Sequence, residues 1–271
     1  MSLTGRDTYG MKILVFVKQV PDTTDVKLDP KTGNLNREGV ESIMNPLDAN
    51  AVEAALQLKE KYGATVVAVS MGPPQAEAVL KKALAMGCDE AVLLSDRAFG
   101  GADTLATGYV LAKSAEKIGD YDLLIFGRHA SDGETAQTGP VTAAFLGIPQ
   151  ITLATSLDVQ DGWAVCTRDT EDSTELVHAK LPALVTVCAE INEPRYATGA
   201  GIMKALKKPR ATLDCKDLEA DPARCGIPGS PSVTKRLFEP KREKIDTSIF
   251  SGDAAEIARQ FVDMLESQHL I

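Results

Sequence analysis

The feature of this sequence that most constrains its fold is a repeated alternation of short apolar runs with helical patterns. The apolar runs that we interpret as buried strands are Ile13–Val17, Thr65–Ser70, Ala91–Leu94 and Leu123–Phe126. The segments between them favour helices, each of which starts at a proline or a capping residue: Asn45–Pro46 to about Tyr62, Pro74 to about Met86, and Asp103 or Thr104 to Ile118. This order predicts an α/β fold, with a parallel sheet covered by helices on both faces.

The rhythm changes after Pro149. Shorter strands in antiparallel hairpins are predicted at Ile151–Val159, Trp163–Arg168 and Thr174–Ala179, with Asp161-Gly162 as one turn, and Pro182–Val187 returns to a buried strand. We therefore predict one α/β domain over residues 11–206, preceded by a tag or disordered extension at 1–10.

From Lys207 onward, prolines interrupt every candidate element until an amphipathic period at Ala254–Gln268. We predict that residues 207–271 form an extended C-terminal arm, which wraps another subunit and ends in a helix that docks there. A tail without fixed structure is the alternative. Several apolar residues of the arm would then be exposed to solvent: Leu213, Leu218, Ile227, Val233, Leu237 and Phe238.

Composition excludes several classes of protein. The 271 residues carry a net charge of −9, which argues against nucleic acid as the main partner. No apolar run approaches the roughly 20 residues of a membrane helix, and no basic start leads into a signal-peptide core. The five cysteines are scattered and never spaced as CxxC, which argues against a disulfide framework or a metal site. These features predict a cytoplasmic protein with reduced thiols and no membrane insertion.

The strand Leu123–Phe126 is followed by a loop, GRHASDGETAQTG, that contains almost nothing apolar. A polar loop between a buried strand and a helix-like run, Val141–Leu146, is a place where backbone N–H groups and the helix dipole can face an anion. Ser131, Thr135 and Thr138 add hydroxyls, and Gly127 and Gly133 allow close approach of the backbone. We predict a nucleotide or another phosphate-bearing cofactor at the carboxyl end of the sheet; an ordinary polar βα loop is the alternative.

Several further segments, in order and at matching spacings, resemble one family. They are VKQVPDT (17–23), NP-x-D (45–48), SMGPP (70–74), the loop at 127–139, KLPALVTV (180–187), and NEPRYAT with IMKA (192–198 and 202–205). Over residues 11–208 the chain resembles the beta, or small, subunit of electron-transfer flavoproteins.

The resemblance implies a Rossmann-like, doubly wound, mostly parallel sheet of the adenine nucleotide alpha hydrolase-like type, with a small antiparallel extension and the long arm. It implies a heterodimer with an alpha subunit, and one redox-active FAD between the subunits. The pocket of the beta chain holds AMP in the mitochondrial type. In the anaerobic, electron-bifurcating type it holds a second FAD that accepts hydride from NADH and passes electrons to an acyl-CoA dehydrogenase and to ferredoxin or flavodoxin.

Two segments favour the bifurcating type: Pro21–Val40 and GGADTLATG at Gly100–Gly108. The conventional AMP-binding type remains the alternative, and a non-redox ATP- or AMP-binding module is the rival class. No nucleophile–base pair or carboxylate pair stands out, so we predict no catalytic side chain. In this interpretation the chain is an electron-carrier subunit, and the redox chemistry belongs to the flavin.

The resemblance also implies cofactor contacts. Phe16, Val17 and Met71 would line the adenine or ribose, with core packing as the alternative. Asn45 and Asp48 match a ribose-proximal motif, although Asn45 could act only as a helix cap. Asp103 and Thr104 would meet pyrophosphate or simply cap their helix. The loop contributes Gly127, Arg128, Ser131, Asp132, Gly133, Glu134, Thr135, Gln137 and Thr138.

Arg128 and His129 lie next to each other in the loop. The guanidinium of Arg128 could neutralise phosphate or the charge on a reduced flavin, with a surface salt bridge as the alternative. His129 stands where the family usually has glutamine, which puts a side-chain contact there in doubt.

The predicted partner-recognition residues are Glu193, Pro194, Arg195, Tyr196, Ile202, Met203 and Lys204. A basic edge formed by Lys204, Lys207, Lys208 and Arg210 would suit an acidic dehydrogenase surface; a solvated charged loop is the alternative. Gly199-Ala200-Gly201 replaces the leucine-containing stretch that anchors a dehydrogenase in mitochondrial-type chains, so a different partner surface is expected.

Overall fold

The computed structural model of the chain describes residues 10–22, 42–232 and 247–271. The predicted N-terminal extension and most of the segment Pro21–Val40 lie outside these residues, as do Val233, Leu237 and Phe238. The chain divides into two compact units, residues 1–235 and 236–271.

The first unit contains twelve strands and five helices within its described residues. The strands are β1 (Lys12–Phe16), β2 (Gln19–Pro21), β3 (Ser42–Met44), β4 (Thr65–Met71), β5 (Glu90–Leu94), β6 (Leu123–Gly127), β7 (Gln150–Ala154), β8 (Asp158–Gln160), β9 (Trp163–Asp169), β10 (Thr174–Lys180), β11 (Ala183–Val187) and β12 (Arg210–Leu213). The helices are α1 (Pro46–Tyr62), α2 (Glu77–Met86), α3 (Thr104–Ile118), α4 (Thr138–Leu146) and α5 (Gly199–Ala205).

The sheet confirms the predicted doubly wound, mostly parallel architecture. Its strand order is β10-β9-β7-β11-β6-β1-β4-β5-β12, with β8 paired to β9. From β1 the chain proceeds to β4 and β5 on one side, and then returns to β6 and β11 on the other. The winding therefore reverses between β1 and β6, which is where doubly wound sheets form a ligand crevice.

Strand β1 shows how the apolar runs build two core layers. Ile13 and Val15 are buried in the layer that contains α1 and α2, whereas Leu14 and Phe16 are buried in the layer that contains α3 and α4. Alternate residues of a strand point to opposite faces, so a run without polar positions fits a strand covered on both sides.

The antiparallel extension is formed by β8, β9 and β10. Asp161 and Gly162 have φ values of +50° and +80°, which confirms the predicted hairpin turn between β8 and β9. The strand predicted at Ile151–Val159 is divided into β7 and β8 by residues 155–157.

The predicted domain boundary at residue 206 is wrong. Strand β12 pairs in parallel with β5, through Arg210–Ala91 to Leu213–Leu94. Residues after it pack into the layer of α3 and α4, where Cys215, Leu218, Ala220 and Cys225 are buried. The sheet unit thus includes the segment up to residue 232, and this segment is not an extended arm.

The described part of the second unit contains helix α6, Ala254–Ser267. Asp253 caps it by accepting a hydrogen bond from the amide of Glu256 at 2.9 Å, which confirms the helix predicted there. Its apolar residues Ile257, Phe261 and Val262 are largely exposed. Among the described residues, no helix is long and apolar enough to cross a membrane.

Candidate functional site

A cleft of about 1370 Å³ lies at the carboxyl edge of β1, β4, β5 and β6, beside the switch point of the sheet. Most of the predicted cofactor residues line it: Phe16, Val17, Asp48, Met71, Asp103, Thr104, Gly127, Arg128, Gly133, Glu134, Thr135, Gln137 and Thr138. The structure brings them together because the carboxyl ends of neighbouring parallel strands meet at one edge.

Apolar side chains lie at the base of the cleft, and most of their surface is buried in the core. The rings of Phe16 and Phe126, at the ends of β1 and β6, stack with centroids 4.2 Å apart and an interplanar angle of 10°. Val69, Met71 and Leu111 continue this surface. Phe16 and Val17 are each only 4% exposed, so core packing, the alternative to a cofactor contact, accounts for most of their side-chain surface.

Two helix N-termini meet at the polar wall of the cleft. Thr104 at the start of α3 donates a hydrogen bond through Oγ1 to Oε1 of Gln137, which precedes α4, at 3.2 Å. The first amides of each helix have no partner within their own helix, and the dipoles add partial positive charge. Glu134 and Ala136 have φ values of +51° and +54°. Left-handed residues that alternate with ordinary ones can turn successive amides toward an anion.

The residues of the opposite wall were not predicted as cofactor contacts. It is formed by the loop after β5, at residues 95–102, together with Gly72, Pro73, Pro74 and Ser232. Gly100 and Gly101 belong to the GGADTLATG motif, in which only Asp103 and Thr104 were predicted to contact the cofactor. Arg97 places a second guanidinium beside the cleft. The contribution of Ser232 carried no local signal, because folding brings it to Asp103 from far along the chain.

Asp48 lies buried where α1 meets the end of β6. Its Oδ2 accepts a hydrogen bond from the amide of Lys18 at 2.7 Å. Burial raises the pKa of Asp48 to about 7, although hydrogen bonds from Asn45, Lys18 and Gly127 oppose the rise. A Cβ on Gly127 would lie 2.4 Å from Oδ1 of Asp48, so glycine is required for this approach.

A second cavity, of about 270 Å³, adjoins the N-terminus of α1 and contains the predicted residues Asn45 and Ser131. Asn45 occupies the N-cap position, but its side chain makes no capping hydrogen bond. Its Nδ2 donates instead to the carbonyl of His129 at 2.9 Å, and its Oδ1 accepts from the amide of Ser131 at 3.1 Å. Arg128 and His129 line both cavities.

Asp132 lines neither cavity, unlike the other predicted cofactor residues. Its carboxylate pairs with Nζ of Lys18 at 2.6 Å. A carboxylate held in an ion pair at the outside of the loop is a poor candidate for binding cofactor hydroxyls.

The predicted partner-recognition segment divides into buried contacts and exposed surface. Arg195 donates to Glu53 at 2.7 Å and also pairs with Glu60, so its guanidinium ties this segment to α1. Lys208 donates to the carbonyls of Leu84 and Cys88, which removes it from the predicted basic edge. Several other members are exposed: Glu193, Tyr196, Ile202, Met203 and Lys204.

Helix α5 packs on α2 and carries exposed apolar residues. It begins with Thr198, whose Oγ1 accepts a hydrogen bond from the amide of Gly201 at 3.0 Å. A Cβ on Gly201 would lie 2.3 Å from the carbonyl oxygen of Ala85, so this glycine allows α5 to pack closely on α2. Tyr196, Ile202, Met203 and Leu206, in and next to α5, are exposed.

Comparison with known proteins shows the family to which the sequence is similar. The electron transfer flavoprotein domain matches residues 32–218. The electron transfer flavoprotein subunit beta of Thermoanaerobacterium thermosaccharolyticum is 46% identical over 262 residues, 96% of this chain and 100% of the relative. The caffeyl-CoA reductase-Etf complex subunit CarD of Acetobacterium woodii is 45% identical over the same shares. The acryloyl-CoA reductase electron transfer subunit gamma of Anaerotignum propionicum is 37% identical over 268 residues, again 96% of this chain and 100% of the relative.

Proposed function

Because this chain belongs to the electron transfer flavoprotein family, in the role of the beta subunit, we propose that its cleft binds the adenine dinucleotide FAD. The observation that carries the proposal is the convergence of the N-termini of α3 and α4, joined by the Thr104–Gln137 hydrogen bond. The carboxylate of Asp103 already accepts from the amides of Leu105 and Ala106 in α3, so the donors offered to a pyrophosphate would come mainly from the start of α4 and the loop before it. The cleft, of about 1370 Å³, is large enough for a dinucleotide.

The residues present fit this group. Met71 lines the cleft and is partly exposed, so it would offer apolar surface to a ring system. The helix N-termini and the amides of residues 133–139 would bind the pyrophosphate, and Arg128 would supply positive charge at the end near β6. When bound, a flavin accepts a hydride and releases its electrons singly or in pairs. The chain itself would bind and orient the flavin and exclude water from it.

Names of relatives support a place in acyl-CoA metabolism. CarD is part of a caffeyl-CoA reductase-Etf complex, and the Anaerotignum propionicum relative serves an acryloyl-CoA reductase. We therefore propose a heterodimer with an alpha subunit, NADH as electron donor, and an acyl-CoA dehydrogenase as one acceptor. Ferredoxin or flavodoxin would be the second acceptor in a bifurcating reaction, in which one electron of each pair goes to each acceptor.

Two surfaces would serve protein partners. The exposed apolar residues of α6, Ile257, Phe261 and Val262, would dock on the alpha subunit. The exposed group at Tyr196, Ile202, Met203 and Leu206, flanked by Lys204 and Lys207, would contact the dehydrogenase. Both surfaces present apolar side chains that the described residues of their own unit leave exposed.

The decisive experiment counts cofactors. The chain is produced together with its alpha subunit, and the nucleotides of the purified heterodimer are extracted and quantified. Two FAD per heterodimer support the bifurcating function. NADH-driven reduction of ferredoxin that requires an acyl-CoA acceptor would support it independently. One FAD with one AMP supports the conventional type instead. A complex that holds ATP or AMP without flavin overturns the redox function.

A further inference from the structure

The N-terminus of α1 is bonded to the cofactor loop through an unusual use of its capping residue. An asparagine at this position ordinarily accepts hydrogen bonds from the first amides of its own helix. Asn45 does not; its amide nitrogen donates to the carbonyl of His129, and its amide oxygen accepts from the amide of Ser131. Asn45 is only 1% exposed, and both polar atoms of its side chain are hydrogen-bonded to the loop.

Lys18 makes a second connection between the same elements. Its amide donates to Oδ2 of Asp48 at 2.7 Å, and its carbonyl accepts from the amide of Asn45 at 2.9 Å. The backbone of Lys18 is thus held by the first turn of α1. Its side chain extends from this fixed point to Asp132 in the loop, with Nζ 2.6 Å from Oδ1.

These contacts divide the loop into two parts. Residues 128–132 are bonded to their surroundings, since the amide of Arg128 also donates to the carbonyl of Val187 at 2.9 Å. Residues 133–137 are exposed, and they contain the left-handed residues Glu134 and Ala136. The amides of Gly133 and Glu134 donate to the carbonyl of Ala130, so this part of the cleft lining continues from the part that is bonded to α1 and β11.

We propose that Asn45 and Lys18 are positioning residues of the nucleotide cleft, which fix residues 128–132 before any ligand binds. This proposal rests on the proposed function, and it reassigns Asn45 and Asp132 from ligand contacts to supports. A loop fixed in advance loses less conformational entropy on binding, so its supports contribute to affinity beyond any contact with the ligand, including Lys18, which also lines the cleft.

The test uses the heterodimer freed of exchangeable nucleotide, with ADP and FAD as probes. Asn45→Ala should weaken ADP binding about tenfold, the effect of losing roughly 1.4 kcal/mol of preorganisation. Hydrogen exchange of the amides at 129–132 should become at least several-fold faster in the nucleotide-free variant. A direct ligand contact would leave exchange unchanged without nucleotide, and this result would overturn the proposal.

A matched control lies on the same helix. Asn50 is also buried, and its Nδ2 donates to the carbonyl of Asn192 at 2.8 Å, away from the loop. Asn50→Ala should leave exchange at 129–132 and ADP affinity unchanged. Asn45→Ser keeps a residue that can cap α1 but is shorter than asparagine, so it should give the same loss of ADP affinity if Asn45→Ala does not fold. Equal effects of the changes at Asn45 and Asn50 would contradict a specific role.

The ion pair is tested by a double-mutant cycle. Lys18→Met and Asp132→Asn should each weaken ADP binding about two- to threefold, as expected for an exposed pair, and the double variant should be no worse than either. The exposed pair Lys61–Asp158, with atoms 2.8 Å apart, serves as control and should show no effect on ADP. Additive losses at Lys18 and Asp132 would overturn their joint role. If the wild-type heterodimer binds neither probe, the proposed function fails; if it binds both and Asn45→Ala matches it throughout, only the positioning role fails.

Discussion

Oδ2 of Asp103 accepts hydrogen bonds from both the amide and the hydroxyl of Ser232, at 3.1 and 2.8 Å, although the residues are 129 positions apart. Oδ1 of the same carboxylate accepts from the amides of Leu105 and Ala106 and so caps α3. Ser230 accepts a hydrogen bond from the amide of Asp103 at 2.8 Å. One carboxylate thus joins the polar wall of the cleft to the segment that leads into the C-terminal unit.

Ser232→Ala should therefore destabilise the part of the cleft wall that contains Asp103. It removes one hydrogen bond to a charged acceptor, and since the contact is exposed, we expect a loss of about 1 kcal/mol in unfolding free energy. Nucleotide affinity should fall as well. The measurements are thermal unfolding and ADP titration of the heterodimer. Ser156→Ala removes a comparable exposed hydroxyl, which accepts from the amide of Thr167 far from the cleft, and should leave ADP affinity unchanged.

Gly127→Ala should destabilise the fold markedly. The new Cβ would lie 2.4 Å from Oδ1 of Asp48 and 2.8 Å from the carbonyl carbon of Leu47, so α1 would have to move away from β6. Overpacking of this kind costs about 1–3 kcal/mol. Gly133→Ala in the same loop is the control, because a Cβ there meets nothing within 4 Å. Urea unfolding should separate the two variants; equal midpoints would refute the close approach.

Asp48 should make stability depend on pH. Because burial raises its pKa from 3.8 to about 7, the folded chain keeps a proton that the unfolded chain has lost. The contribution of Asp48 is therefore greatest below pH 4, falls as the pH rises to about 7, and is level above that.

Asp48→Asn removes this titration. The unfolding free energy of the variant, relative to wild type, should rise between pH 4 and 7 by up to about 4 kcal/mol, the equivalent of a three-unit shift. Urea unfolding at several pH values without nucleotide measures the difference, in which other groups cancel. Parallel pH profiles for the two proteins would contradict the buried, protonated carboxyl group.

Arg195 should matter more for stability than for partner binding. Glu53 is buried, and hydrogen bonds from Arg195 outweigh the effect of burial, so that the pKa of Glu53 lies below its usual value. Arg195→Met would leave that carboxylate unpaired and should cost about 2–3 kcal/mol, with a loss that diminishes as the pH falls through the pKa of Glu53. Glu60→Gln removes the exposed partner of Arg195 and should cost less than about 0.5 kcal/mol. Equal losses would show that the pairing with Glu53 is unimportant.

The central sheet could be predicted because strands covered on both faces leave a plain signal, a run of apolar residues bounded by helices. β12 could not, because Arg210, Ala211 and Thr212 are exposed and the strand is defined by pairing with β5. α5 was missed for a different reason. Gly199 and Gly201 disfavour a helix, yet close packing on Ala85 requires glycine at position 201.

The same distinction holds for the site. The loop residues were predicted because they follow a strand directly, and chain order alone places them at the edge of the sheet. The side-chain role of Asn45 could not be predicted, since a capping position explains an asparagine fully without the loop. Ser232 depends on a contact that only the folded chain creates.

The pairing of β12 with β5 has a practical consequence for dissecting this protein. A fragment that ends at residue 206 would expose the hydrogen-bonding edge of β5, and exposed strand edges promote aggregation. It would also expose the apolar side chains of the core that Leu218 and Cys225 cover. It would also lack Ser230 and Ser232, which hold Asp103. The shortest autonomous nucleotide-binding piece should therefore extend to residue 232.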